Sequence, residues 1–137
     1  MISRSKVLLD TDILSLYLRH QPKVVVEGQE YLQLHEVFTF SIITRFEILR
    51  GMKVKNADGQ LAFFDRFCSS NEIIDLDDNI IVRASDIYAH LYKTGKIIGD
   101  ADILIAATAL ENSLPVVTNN ESHFERIPGL QIINWNR

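Results

Sequence analysis

A chain of 137 residues, 47% hydrophobic and 23% charged, is of ordinary globular composition. A chain of this length buries roughly two thirds of the surface its unfolded form exposes and stands without staples. The formal net charge of −4 excludes a protein that holds nucleic acid by bulk phosphate neutralisation alone. The single cysteine, Cys68, excludes an internal disulfide and a cysteine-rich zinc site. One domain over residues 1–137 is expected. The apolar run after Met1-Ile2-Ser3-Arg4-Ser5-Lys6 ends at Asp10, too soon for a signal-peptide core, and no run approaches a membrane span. A cytoplasmic protein without membrane contact is therefore expected.

In chain order, Val7 to Leu9, Val37 to Phe40, Ile73 to Leu76, Pro115 to Thr118 and Leu130 to Ile133 read as strands, being short runs rich in β-branched and aromatic residues. Helical spacing covers about 11–19, 23–35, 42–54, 58–70, 78–94 and 101–112. Strands alternating with helices predict an α/β fold, with a mainly parallel sheet covered on both faces. Asp77 or Asp78 is an expected N-cap for the helix ending near Gly95, and Asp12 and Asp100 sit where two further caps are expected. Asn119-Asn120 closes a strand as a turn would. In such sheets the ligand crevice lies beyond the carboxyl ends of the strands, so Asp10 and Asn120 are both placed to line it.

Three acids carry the chemistry. Asp10 ends Val7-Leu8-Leu9-Asp10, Glu47 lies in Ile42-Ile43-Thr44-Arg45-Phe46-Glu47-Ile48-Leu49, and Asp102 opens Asp102-Ile103-Leu104-Ile105-Ala106-Ala107. Carboxylates are costly among apolar neighbours unless paired or bound to a cation, and a cation explains all three at once. Mg²⁺, with Mn²⁺ as an alternative, takes oxygen ligands and retains water, so Asp10 and Asp102 suffice as protein ligands while a phosphate supplies the rest. Such an ion acidifies a water and screens charge on phosphorus, and Glu47 is placed to position or deprotonate that water. Each acid has a structural explanation too. Asp10 is a candidate cap, a mid-helix Glu47 commonly faces solvent, and in the first helical turn Asp102 gains about 0.3–1 kcal/mol from the dipole. The metal reading rests on the set.

Other side chains offer less. His20, His35, His90 and His123 lack paired ligand spacing and read mostly as surface or packing residues. Ser41, Ser69, Ser70 and Ser85 lack a nucleophile elbow, and there is no glycine-rich phosphate loop. Arg45, Arg50, Lys53 and Lys55 flank Glu47 and are placed to meet a phosphate backbone or simply to face solvent. Phe63, Phe64, Phe67, Tyr88 and Tyr92 fall at spacings of core or subunit contact.

With these residues located, the chain resembles the PIN-domain nucleases, and among them the VapC-type toxins of toxin–antitoxin pairs. Leu8-Leu9-Asp10-Thr11-Asp12-Ile13-Leu14-Ser15 looks like the family's Leu-Asp-Thr-Asn opening. Ser41-Ile42-Ile43-Thr44-Arg45-Phe46-Glu47-Ile48-Leu49-Arg50-Gly51 looks like its Ser-x-x-Thr-x-x-Glu-Leu-x-x-Gly element, and Asp102 to Ala107 its Asp-x-x-Ile-Ala-Ala segment. Val117-Thr118-Asn119-Asn120, Phe124 to Leu130 and Trp135 resemble its closing pattern. The resemblance implies a three-layer α/β/α PIN-like domain with a five-stranded sheet in order 3-2-1-4-5. It further implies a metal-dependent endoribonuclease acting on RNA, a homodimer, a cognate antitoxin over the acidic cleft, and Asp10, Glu47 and Asp102 as essential acids. Asp12 stands where the family commonly has Asn, and Asn120 where many relatives carry a fourth Asp. Thr118, Asn119 and Asn120 are thus auxiliary candidates, the asparagines reaching metal through water, and Asp100 is an extra acid without a family role. Two rival readings are a haloacid-dehalogenase-type phosphatase, suggested by Asp10-Thr11-Asp12 with a later Gly99-Asp100, and a non-catalytic PIN-fold binding module.

Overall fold

The computed structural model describes residues 5–137; Met1 to Arg4, on which part of the amino-terminal reading falls, lie outside the described residues. The chain runs β1 (Leu8–Leu9), α1 (Thr11–Leu18), α2 (Pro22–His35), β2 (Thr39–Ser41), α3 (Ile42–Val54), α4 (Asp58–Ser69), β3 (Glu72–Ile74), α5 (Asp78–Lys93), α6 (Asp100–Glu111), β4 (Val116–Val117), α7 (Glu121–Phe124) and β5 (Ile132–Ile133). The five strands form one sheet in the order β3-β2-β1-β4-β5, and every neighbouring pair is parallel. Both the strand order and the layering are those implied by the family resemblance.

The pleat divides the apolar residues between two cores, because successive strand side chains point to opposite faces. Leu8, Ile74, Val116 and Ile132 pack with α5 and α6 through Ile80, Ile87, Leu91, Ile103 and Ile105. Their neighbours Leu9, Ile73, Val117 and Ile133 pack on the other face with Ile13, Leu14, Val24, Tyr31, Phe38 and Phe64. Sheet strands buried on both faces read as unbroken apolar runs for this reason. Gly28 permits the close seat of α2 on α1, since a Cβ there would meet the Tyr17 ring at 2.7 Å.

Two expected caps are corrected. Asp77 does cap α5, its Oδ1 accepting from the Ile80 amide at 2.9 Å. Asp12, however, lies in the first turn of α1, whose N-cap is Asp10. Asp100 is likewise the first residue of α6, and the cap is Gly99 with no side-chain bond. The short helix α7 was not expected; four residues are too few to show a helical period.

Candidate active site

The sheet sets the site. Asp10 follows β1 at its carboxyl end, flanked by β2 and β4, and Thr118 follows β4 directly alongside it. Asp10 is only 4% exposed, with Oδ1 accepting from the Thr11 amide at 2.8 Å and Oδ2 from the Thr118 hydroxyl at 2.8 Å. Burial raises its carboxyl pKa to about 8, the negative charges of Asp12 and Asp102 add to the rise, and the two hydrogen bonds oppose it. Asp12 is raised as well, first by burial, while hydrogen bonding to Asp10 and to the Ile13 and Asn119 amides pulls the other way.

Asp10 and Asp12 stand within hydrogen-bonding reach of each other, so a shared proton would link them. With both ionised, Asp12 Oδ2 keeps the Asn119 amide at 3.0 Å, but Oδ1 is buried without a well-formed hydrogen bond, the Ile13 amide acting on the carboxylate by proximity alone. An orphaned carboxylate oxygen beside a second buried carboxylate is costly unless a proton or a cation neutralises it. Asp102 enters from the first turn of α6 and is close enough for its charge to act on both. These donors are all hard oxygens, and their uncompensated negative charge fits a cation of the Mg²⁺ or Mn²⁺ type. Among the described residues no group of three or more His, Cys, Asp or Glu side chains closes a metal cage by itself. A site of one or two carboxylates completed by water and phosphate needs none.

Glu47 joins differently. Its Oε1 accepts from the Thr11 hydroxyl at 2.6 Å, and Thr11 lies 3.0 Å from the Thr44 hydroxyl. Thr11 has one hydroxyl proton, which the carboxylate takes, leaving Thr44 to donate to Thr11. Glu47 thus reaches the aspartates through Thr11, and its Oε2 lies 3.5 Å from the Arg50 guanidinium. A groove of about 300 Å³ leads away from Thr11 and Glu47 over Leu18, Ile48 and Met52, with Arg19 and Lys55 on its lining. Arg45 is engaged elsewhere, 3.0 Å from Asp65.

Asp10, Asp12, Asp102, Thr118 and Asn119 are therefore gathered in one place, and Glu47 is tethered to it. Asp100 is not. It is exposed and lines an apolar groove between α5 and α6 with Ile81, Tyr88 and Ile103. Asn120 meets no carboxylate in the structure; its Nδ2 lies 2.8 Å from His123 Nδ1. His123 corrects the reading of the histidines, since the same nitrogen is 2.9 Å from Asp102 Oδ2. No spacing signal pointed to it, because its partner is a helix away.

An acidic, oxygen-lined cleft at the carboxyl edge of an all-parallel sheet is the site of a phosphate-handling α/β protein. The PIN domain model matches residues 7–130, and the chain belongs to the PIN domain family, among its VapC members. It is 35% identical over 130 residues to ribonuclease VapC1 of Methanocaldococcus jannaschii, covering 93% of this chain and 87% of that one. It is 33% identical to the tRNA(fMet)-specific endonuclease VapC of Salmonella typhimurium, covering 95% of this chain and 98% of the relative. Among solved structures, VapBC2 of Rickettsia felis bound to a promoter DNA fragment matches with a TM-score of 0.85 at 30% identity, over 96% of this chain and 99% of that one.

Proposed function

We propose that this protein is a metal-dependent endoribonuclease, the toxin of a toxin–antitoxin pair, acting in the cytoplasm on RNA. The observation that carries the reading is Asp10, a buried carboxylate under the charge of Asp12 and Asp102, with an oxygen of Asp12 unpartnered, in a chain akin to VapC ribonucleases. Asp10 and Asp102 would hold the ion, whose charge would also offset that of the neighbouring Asp12. The ion supplies water activation and screening of the charge that builds on phosphorus. Glu47, aimed by Thr11, accepts the proton of the attacking water as its oxygen bonds to phosphorus and the bond to the leaving ribose oxygen breaks. Arg19 and Lys55, on the groove leading from Glu47, are suited to the flanking phosphates, which reconciles a net charge of −4 with an RNA substrate.

An antitoxin partner is supported by the relatives solved as VapBC complexes. A homodimer is supported by the apolar groove of about 330 Å³ between α5 and α6, which Ile81 and Tyr88 line while Tyr92 and Ile97 lie exposed beyond it on the chain. The family assignment answers the phosphatase alternative.

The test is cleavage of total RNA and of initiator transfer RNA by purified protein, in Mg²⁺ or Mn²⁺ against EDTA, with Asp102→Asn alongside. Metal-dependent cutting lost in the variant is the expected result. Growth arrest on expression of a folded Asp102→Asn protein would overturn it and return weight to a non-catalytic binding module.

A further inference from the structure

We infer that His123 is a positioning residue for Asp102, and that Asn120 acts on the acidic site through His123; this rests on the metal-dependent reading above. His123 Nδ1 lies 2.9 Å from Asp102 Oδ2 and 2.8 Å from Asn120 Nδ2. One nitrogen cannot accept from the amide and donate to the carboxylate together. The carboxylate decides the matter, because a charge-assisted bond is roughly twice as strong as a neutral one, so Nδ1 carries its hydrogen toward Asp102. The amide of Asn120 then turns its oxygen to the ring, sharing that one hydrogen with Asp102 as the weaker arm of a bifurcated bond. Ser122 Oγ, 3.4 Å from the present amide oxygen, suits either orientation, since a hydroxyl both donates and accepts.

The short helix that carries the ring is anchored as well. Phe124 and Ile127 are buried in the core against α6, which fixes α7 and with it His123 over the first turn of α6. Asn120 is the N-cap of α7, and its own amide is tied to Thr118 Oγ1 at 2.9 Å, the hydroxyl that also donates to Asp10. One continuous path thus runs from Asp10 through Thr118, Asn120 and His123 to Asp102. With Oδ2 engaged by the imidazole, the Asp102 carboxylate would be held in one orientation toward a cation. An outer partner that fixes a ligand in this way is typically worth 10–100-fold in metal affinity. Asn120 therefore has a function through His123, where the family resemblance had it reach the ion through water.

The experiment is Mn²⁺ binding by calorimetry, with thermal melting and RNA cleavage in parallel, on wild type and on His123→Ala, His123→Asn, His123→Gln, Asn120→Ala and Asp102→Asn. Asparagine places an amide nitrogen where Nδ1 stands, whereas glutamine carries its amide one carbon further out. The expected order is wild type near His123→Asn, then Asn120→Ala and His123→Gln weaker, and His123→Ala weaker by about tenfold or more. Melting temperatures should not follow that order. Wild-type affinity in His123→Ala would overturn the inference alone. If His123→Ala fails to fold, the asparagine and glutamine variants decide it, and equal affinity in the two overturns it. Wild type without any Mn²⁺ affinity would remove the metal reading and this inference with it.

Discussion

Asp10 and Asp77 are the same residue type at the same place in a helix, the N-cap of α1 and of α5, yet they live under opposite conditions. Asp77 is exposed and accepts from the third amide of its helix, the ordinary use of a capping carboxylate. Asp10 is buried and binds only the adjacent Thr11 amide, its second oxygen going across the sheet to Thr118. Asp77 has water to solvate its charge. Asp10 has Asp12 and Asp102 as neighbours, and burial with their charges drives its pKa upward. The difference teaches that a cap position says nothing about function until the surroundings of the carboxylate are known.

Asp10→Asn should produce the largest effect. It keeps the shape and removes one of the crowded charges, though one of the two oxygens that accept from the Thr11 amide and the Thr118 hydroxyl becomes an amide nitrogen. Cleavage should fall by at least about 100-fold, with the charge proposed to hold the metal gone. Stability at pH 8 should hold or rise, because an unfavourable buried charge has been removed. Urea unfolding and an RNA cleavage assay check both halves, and an active Asp10→Asn enzyme would break the contrast with Asp77.

The cation should come next. Mg²⁺ or Mn²⁺ at about a hundredfold over its Kd stabilises a protein that binds it only when folded by about 2.7 kcal/mol. Melting in Mg²⁺ against EDTA should show a gain in wild type and in Asp77→Ala, and little in Asp10→Asn. Equal gains in all three would mean the ion sits elsewhere.

The pH dependence follows from the same raised pair. A carboxyl raised in the folded state keeps its proton there while the unfolded chain, with its ordinary value of 3.8, has lost it. Stability of the metal-free protein should therefore be fullest near the unfolded value and decline as pH rises toward about 8. Two acids work in the opposite sense. Glu72 is held low by Lys6 and Thr39, and Glu121 by Asn134 and Arg137, so their contributions are lost only as pH falls below the ordinary value of 4.5. Between about pH 5 and 8 the raised pair dominates. Urea titrations across that window should show declining stability in wild type and a flatter profile in Asp10→Asn; a rise in the wild type would contradict the burial account.

The fold was legible in the sequence because its two periods are clean. Leu8-Leu9 and Val116-Val117 are apolar at adjacent positions only because each pair feeds both cores. The acids were legible as a set, but their division of labour was not. Asp100 and Asp102 are two residues apart, about 200° around the helix, so only one of them can face the aspartates. The sequence placed a cap at each of Asp12 and Asp100, where capping is local, but the chain enters these helices earlier, two residues before Asp12 at Asp10 and one before Asp100 at Gly99. His123 was illegible for a different reason. Its partner Asp102 is brought near by the packing of α7 on α6, and no local pattern encodes that meeting.

The smallest effect expected belongs to the other aspartate. Asp77→Ala leaves the Ile80 amide without its acceptor and removes a negative charge from the positive end of α5. The loss should be about 1 kcal/mol, the usual worth of a capping carboxylate. The substitution should leave cleavage and metal affinity untouched, because none of the site residues lies on α5. Asp77→Asn should recover most of the stability, an amide oxygen capping nearly as well as a carboxylate, while the same change at Asp10 abolishes cleavage. Identical chemistry at two caps would then give a repaired helix at one and a dead enzyme at the other. Loss of cleavage in a well-folded Asp77→Asn would mean that α5 reaches the substrate after all.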